Sequence, residues 1–195
     1  MAPTKFPRIA LALLALAGVV LTGCSGQPDQ YIGKPGAVSA GPGQDAAADV
    51  AQFADIGMAA DALLAMPVGA TCSLESVVSM ANGQPSPGET PNSYLARRGS
   101  AYRMIGFATN SQSGTVPASV RIVLLGGTAW GIEARTGLER PDVADYFRVP
   151  AFSSAGYQAD AGFDDVPPGE YRVFVIGTDG STEVACPSHH RVLVQ

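Results

Sequence analysis

The chain has 195 residues, 46% of them hydrophobic, with 12 basic and 17 acidic side chains and a formal charge of −5. That acidic balance argues against nucleic acid as a partner, because such partners are held by clustered Lys and Arg. The sequence also contains no G-x-S-x-G nucleophile elbow and no G-K-[ST] or G-x-G-x-x-G phosphate loop, so no segment announces a reaction or a cofactor.

The first element in chain order is a secretion signal over residues 1–23. Lys5 and Arg8 precede an apolar run from Ile9 to Leu21, followed by the small residues Thr22 and Gly23. The run falls short of the about 20 residues a spanning helix needs, and no charged cluster follows it. Leu21, Thr22, Gly23 and Cys24 resemble the lipobox of bacterial lipoproteins. The resemblance implies that the Cys24 sulfur receives a diacylglycerol, that the chain is cut before it, and that the new amine is acylated with a fatty chain such as palmitate. The alternatives are an ordinary signal peptide that leaves a free cysteine, and a spanning helix. Two or more acyl chains, at about 0.8 kcal/mol per buried methylene, hold a protein stably on a bilayer. The expected partner is therefore a membrane, reached through Cys24. Ser25 behind the anchor is, by the same resemblance, permissive for the outer membrane in a host with two membranes. Removing residues 1–23 takes away two basic residues and no acid, which leaves 10 against 17 and a formal charge of −7.

Residues 24–44 are rich in glycine, proline and small polar residues and read as a lipidated flexible tether. Residues 45–67 follow with Ala46, Val50, Phe53, Gly57, Ala60 and Leu64 at three- and four-residue steps, while Asp45, Asp49, Gln52 and Asp55 take another face. This spacing predicts one amphipathic helix, capped by Asp45 and ended by Pro67, with Gly57 as a weak point in its middle.

With Cys24 lipidated, Cys72 and Cys186 remain as an even pair in an oxidising compartment, and a disulfide between them is expected. Two buried thiols are the alternative. A metal site using Cys186, His189 and His190 is a weaker one, since adjacent histidines on an extended strand face opposite ways and no further ligand stands at suitable spacing. From residue 71 to 195 the period changes to alternation with frequent turns, which predicts a mainly β domain. Strands are expected at Val120–Leu124, Tyr157–Phe163 and Tyr171–Ile176, with others at Cys72–Ser79, Tyr102–Ala108, Thr128–Arg135 and Glu183–Val194. Seven short strands suit a two-sheet sandwich. Gly126 and Gly127 mark a hairpin, and the Pro-Pro-Gly turn before Tyr171 predicts a tyrosine anchored on nearby backbone.

The pattern Arg140, Pro141, Asp142, Val143, Ala144, then Phe147, Ser154, Gly156 and Tyr157, and later Pro167, Pro168, Gly169, Glu170 and Tyr171, resembles a group of bacterial immunoglobulin-like envelope domains. The resemblance implies an immunoglobulin-like β-sandwich over 71–195, a non-catalytic role and an envelope location. Arg140 and Asp142 read as structural partners within one loop. The sole tryptophan, Trp130, with Tyr146 and Tyr157, makes the candidate ligand contact, since aromatic rings stack on sugars and anchor interfaces. The functional expectation is a lipid-anchored cell-envelope binding or assembly module whose partner is an envelope protein or glycan. A passive structural lipoprotein is the alternative, with a small extracytoplasmic hydrolase behind it. No catalytic residue, metal or cofactor is assigned.

Overall fold

A computed structural model describes residues 50–195. The expected signal peptide, Cys24 and the tether lie outside the described residues, as does the start of the 45–67 segment. Ten strands and short helices follow one another as β1 (Ala51–Gln52), β2 (Ala54–Asp55), α1 (Ala60–Leu64), β3 (Ala70–Ser79), β4 (Ser93–Ala96), β5 (Ala101–Asn110), β6 (Ser119–Leu125), β7 (Ala129–Leu138), α2 (Pro141–Phe147), a 3-10 turn (Pro150–Ser154), β8 (Gly156–Gly162), β9 (Gly169–Asp179) and β10 (Thr182–Val194). All seven strands read from alternation are present. The expected mainly β class is therefore found.

The strands pair in the order β3-β5-β8-β7-β6-β9-β10-β4. One hydrogen-bonded path thus replaces the two separate sheets expected of a sandwich, and it curls until its ends meet. The segment between β3 and β4 fills the remaining seam. Ser86 N donates to Val77 O at 2.8 Å and Leu95 N donates to Ser86 O at 3.0 Å, so residues around 86 bridge both end strands. The result is a nearly closed barrel, an arrangement that leaves few unpaired strand edges.

Alternation explains the core. Val120, Ile122 and Leu124 of β6, Tyr157, Ala159 and Ala161 of β8, and Tyr171, Val173 and Val175 of β9 all point into the barrel. The intervening Val123, Leu125, Phe174 and Ile176 point outward. They would be exposed but for α1, whose Leu63 is 1% exposed and packs on them with Met58 and Met66. A third cluster joins Val143, Ala144 and Phe152 of the α2 region to Phe107 on the outer side of β5. Gly126 and Gly127 form the β6–β7 hairpin turn, as their spacing predicts.

The amphipathic helix expected over 45–67 is corrected by the structure: within the described residues, only Ala60–Leu64 is helical, and Ala51–Gln52 and Ala54–Asp55 are strands. The reason is a gap in the barrel wall. Strands β7 and β8 pair only at Arg135–Leu138 against Gly156–Gln158, then splay apart. Into the opening runs the N-terminal segment, with β1 parallel to β8 and β2 antiparallel to β7. Phe53 N donates to Gly162 O and Ile56 N to Ala129 O, each at 3.1 Å. Backbone groups that β7 and β8 would otherwise leave unpaired are thereby satisfied, which outweighs the helical preference of an alanine-rich stretch. Two glycines make room for the strap: a Cβ on Gly131 would lie 2.7 Å from Ile56, and one on Gly162 would strike the Gln52 amide. Gly57, at φ +63°, then turns the chain out of the strand toward α1.

Cys72 on β3 and Cys186 on β10 are joined in a disulfide, with Cα atoms 6.1 Å apart. The bond ties two strands that share no continuous ladder, next to the single parallel bridge of Val68 to Ala185. Among the described residues, no helix is long and apolar enough to cross a membrane.

Candidate functional site

The aromatic set does not come together. Trp130 is half-buried and packs against the barrel core, on a strand whose neighbours Leu124 and Ile132 also face inward. Its Nε1 is buried without a hydrogen-bond partner among the described residues. Tyr157 is fully buried, and its hydroxyl donates to Ser73 O at 2.9 Å. Burial pushes that phenol above its ordinary range, as expected for a hydroxyl kept neutral in the core. The reading of Tyr157 as a ligand contact is therefore corrected: an aromatic in a strong alternating strand is as much a core signal as a binding signal. Tyr146 is 81% exposed on α2, edge-on to Phe147, and follows the far end of β7 from Trp130. The anchored tyrosine is found at Tyr171, whose hydroxyl donates to Pro167 O at 2.7 Å.

Arg140 proves to be a brace. Its guanidinium donates to Glu75 Oε2 at 2.7 Å and Oε1 at 3.0 Å, to Asp142 Oδ1 at 2.8 Å and Oδ2 at 2.6 Å, and lies 5.3 Å over the Phe107 ring. Glu75 occupies the point where the β3–β5 register shifts, so the arginine pins that irregularity to the start of α2. Hydrogen bonding from Arg140, joined by the attraction of its charge, holds the Asp142 carboxyl down at about 2. The pair is intact above the usual carboxylate range and is lost as the pH falls through about 2. We expect Arg140→Ala to lower stability by about 1–3 kcal/mol, measured by urea titration at neutral pH, because two carboxylates lose charge-assisted bonds together. An unchanged midpoint would reduce the brace to a surface contact.

Two surface cavities are candidate sites. One, of about 500 Å³, opens beside α2 and is lined by Pro141, Ala144, Asp145, Arg148, Pro150 and Ser153. It presents one acid and one base, and no convergence of like groups. The other, of about 260 Å³, lies on the outer face of β9 and β10 and is lined by Arg172, Phe174, Pro187, Ser188, His189, His190 and Arg191. The β9–β10 pairing shifts register between Pro187 and Arg191. Pro187 still faces Phe174, but beyond the shift Arg191 stands opposite Arg172. Arg191 is paired with Glu170. Arg172 lies 5.5 Å over the Phe174 ring and has no carboxylate within 4 Å among the described residues.

The two histidines at the shift face different ways, as extended backbone requires: His189 is exposed, whereas His190 is half-buried and stacks on Tyr94 at 5.6 Å. His190 Nδ1 shares a hydrogen bond of 2.9 Å with Ser188 Oγ. Burial, with His189 nearby, lowers the His190 pKa and favours the neutral ring. Among the described residues, no group of three or more His, Cys, Asp and Glu is placed to hold a metal. The strand expected at Tyr171–Ile176 sets Arg172 on the face opposite Tyr171, with Phe174 and Ile176, and marks no site there. Extrapolating the β9–β10 hairpin from its turn would set Arg172 against His189, and only the register shift brings the two arginines together. Comparison with family models, with curated proteins and with solved structures returned no significant match to this chain.

Proposed function

We infer that the protein is a lipid-anchored, extracytoplasmic envelope protein whose barrel is a non-catalytic binding module. The observation that carries the binding role is the outer-face cleft at the β9–β10 register shift, where cationic side chains gather on an otherwise acidic chain. The anchoring rests on the sequence that ends in Cys24, with the outer membrane as its place in a two-membrane host. Kinship with immunoglobulin-like envelope domains is part of the same reading, supported by the sequence pattern around Arg140 and by the Tyr171 corner. The partner is an envelope protein or glycan. A barrel with a cleft on its outer face, held on acyl chains, would meet such a component at the membrane surface.

Cys24→Ala is expected to move the protein from the membrane to the soluble fraction in the native host, because acyl chains supply the whole attachment. Wild-type fractionation of that variant would overturn the anchor. Crosslinking of the anchored protein in its own cells, followed by mass spectrometry, tests the binding role: a recurrent envelope component supports it, and its absence together with no glycan retention overturns it.

A further inference from the structure

The cleft on β9 and β10 carries an arrangement that is unfavourable by itself. Arg172 and Arg191 are directly opposed across an antiparallel pair, on the same outer face, and like charges in that position destabilise a sheet. Glu170 relieves Arg191 only. Arg172 is exposed, without an acid, and kept close to the strand by Phe174 beneath it. Exposed His189 adds a third nitrogen base at the rim. An oxyanion between the two guanidinium groups would turn their repulsion into two sets of charge-assisted bonds, the geometry for which the planar arginine fork is suited.

The size of the space narrows the class. At roughly 30 Å³ per water, a cleft of about 260 Å³ holds the volume of about nine waters, more than a bare oxyanion fills. At the arginine end of the cleft β10 is paired with β9 on one side and, over Arg191–Val194, with β4 on the other, so that end offers no free edge on which an extended peptide could add a strand. A compact carrier suits it better than a chain. We propose that the β9–β10 cleft binds an anionic saccharide unit through a phosphate or carboxylate held between Arg172 and Arg191, with His189 at its edge. This assignment rests on the reading of the barrel as a binding module and names the ligand class of that same cleft.

The test is a titration of the full-length protein in detergent micelles with glucose 6-phosphate, glucuronate, inorganic phosphate and glucose, followed by calorimetry and by amide shifts of residues 170–174 and 187–191. Saturable one-to-one binding of at least one anionic sugar is expected, tighter than phosphate and absent for glucose. Arg172→Gln and Arg191→Gln should each weaken it about ten- to hundredfold. Arg121→Gln, which removes an equal charge from the β6 pair with Glu133, should leave it unchanged. No saturable binding, equal loss in Arg121→Gln, or phosphate binding as tightly as the sugars would each overturn the proposal. Its failure is separable from failure of the binding module, because capture of an envelope component by crosslinking reports binding whatever the chemical class of the ligand.

Discussion

Phe53→Ala is expected to cost about 3–5 kcal/mol of folding stability, as truncation of a fully enclosed aromatic does. Phe53 is wholly buried, its ring centroid 5.0 Å from that of Phe163, which in turn meets Tyr102 edge-on at 5.6 Å. The backbone around it is fixed on both sides, since β1 pairs with β8 and β2 with β7, so the wall cannot close over the vacated space without losing those bonds. Part of the cost would therefore persist as a cavity. Urea titration of the variant, followed by fluorescence and by far-ultraviolet circular dichroism, measures it. Were this segment a peripheral helix resting on the barrel, the same change would fall within about 0.5 kcal/mol, the range of surface substitutions. A loss below about 1 kcal/mol would mean that the strap is not part of the cooperative unit.

The double variant Cys72→Ala, Cys186→Ala should lose a comparable amount. The bond spans a sequence separation of 114 residues, and in the chain-entropy model a loop of that size restricts the unfolded chain by about 4–5 kcal/mol. For a domain of this size we expect the thermal midpoint to fall by about 10 °C or more. The location gives the bond a second role. β3 and β10 lie next to each other without a ladder between them, so the covalent link takes the place of cross-strand hydrogen bonds along that part of the wall. Calorimetry of the double variant, beside wild type with and without reductant, checks both. If the reduced wild type and the variant melt with the oxidised protein, the seam is held by packing alone.

Strand positions were legible in the sequence because alternation is a local property: Val120, Ile122 and Leu124 need only face inward together for the pattern to appear, whatever strand lies beside them. The cysteine pairing was legible by count, and the Tyr171 anchor by its turn. The strap was not. Ala46, Val50, Phe53 and Leu64 are spaced for a helix, and only the splayed gap between β7 and β8, made by residues about eighty positions and more further on, turns Phe53 into a core residue between two short strands. Tyr157 and Trp130 were ambiguous for a related reason, since the same aromatic ring serves a core or a ligand and burial alone distinguishes them. The cleft was hidden more deeply, because the register shift in β10 replaces His189 with Arg191 opposite Arg172. Local patterning thus determined seven of the ten described strands and which side of each of the seven faces inward. Closure of the barrel, the insertion of the strap and the meeting of the two arginines were decided by tertiary structure, because each depends on which backbone groups a distant strand leaves unpaired.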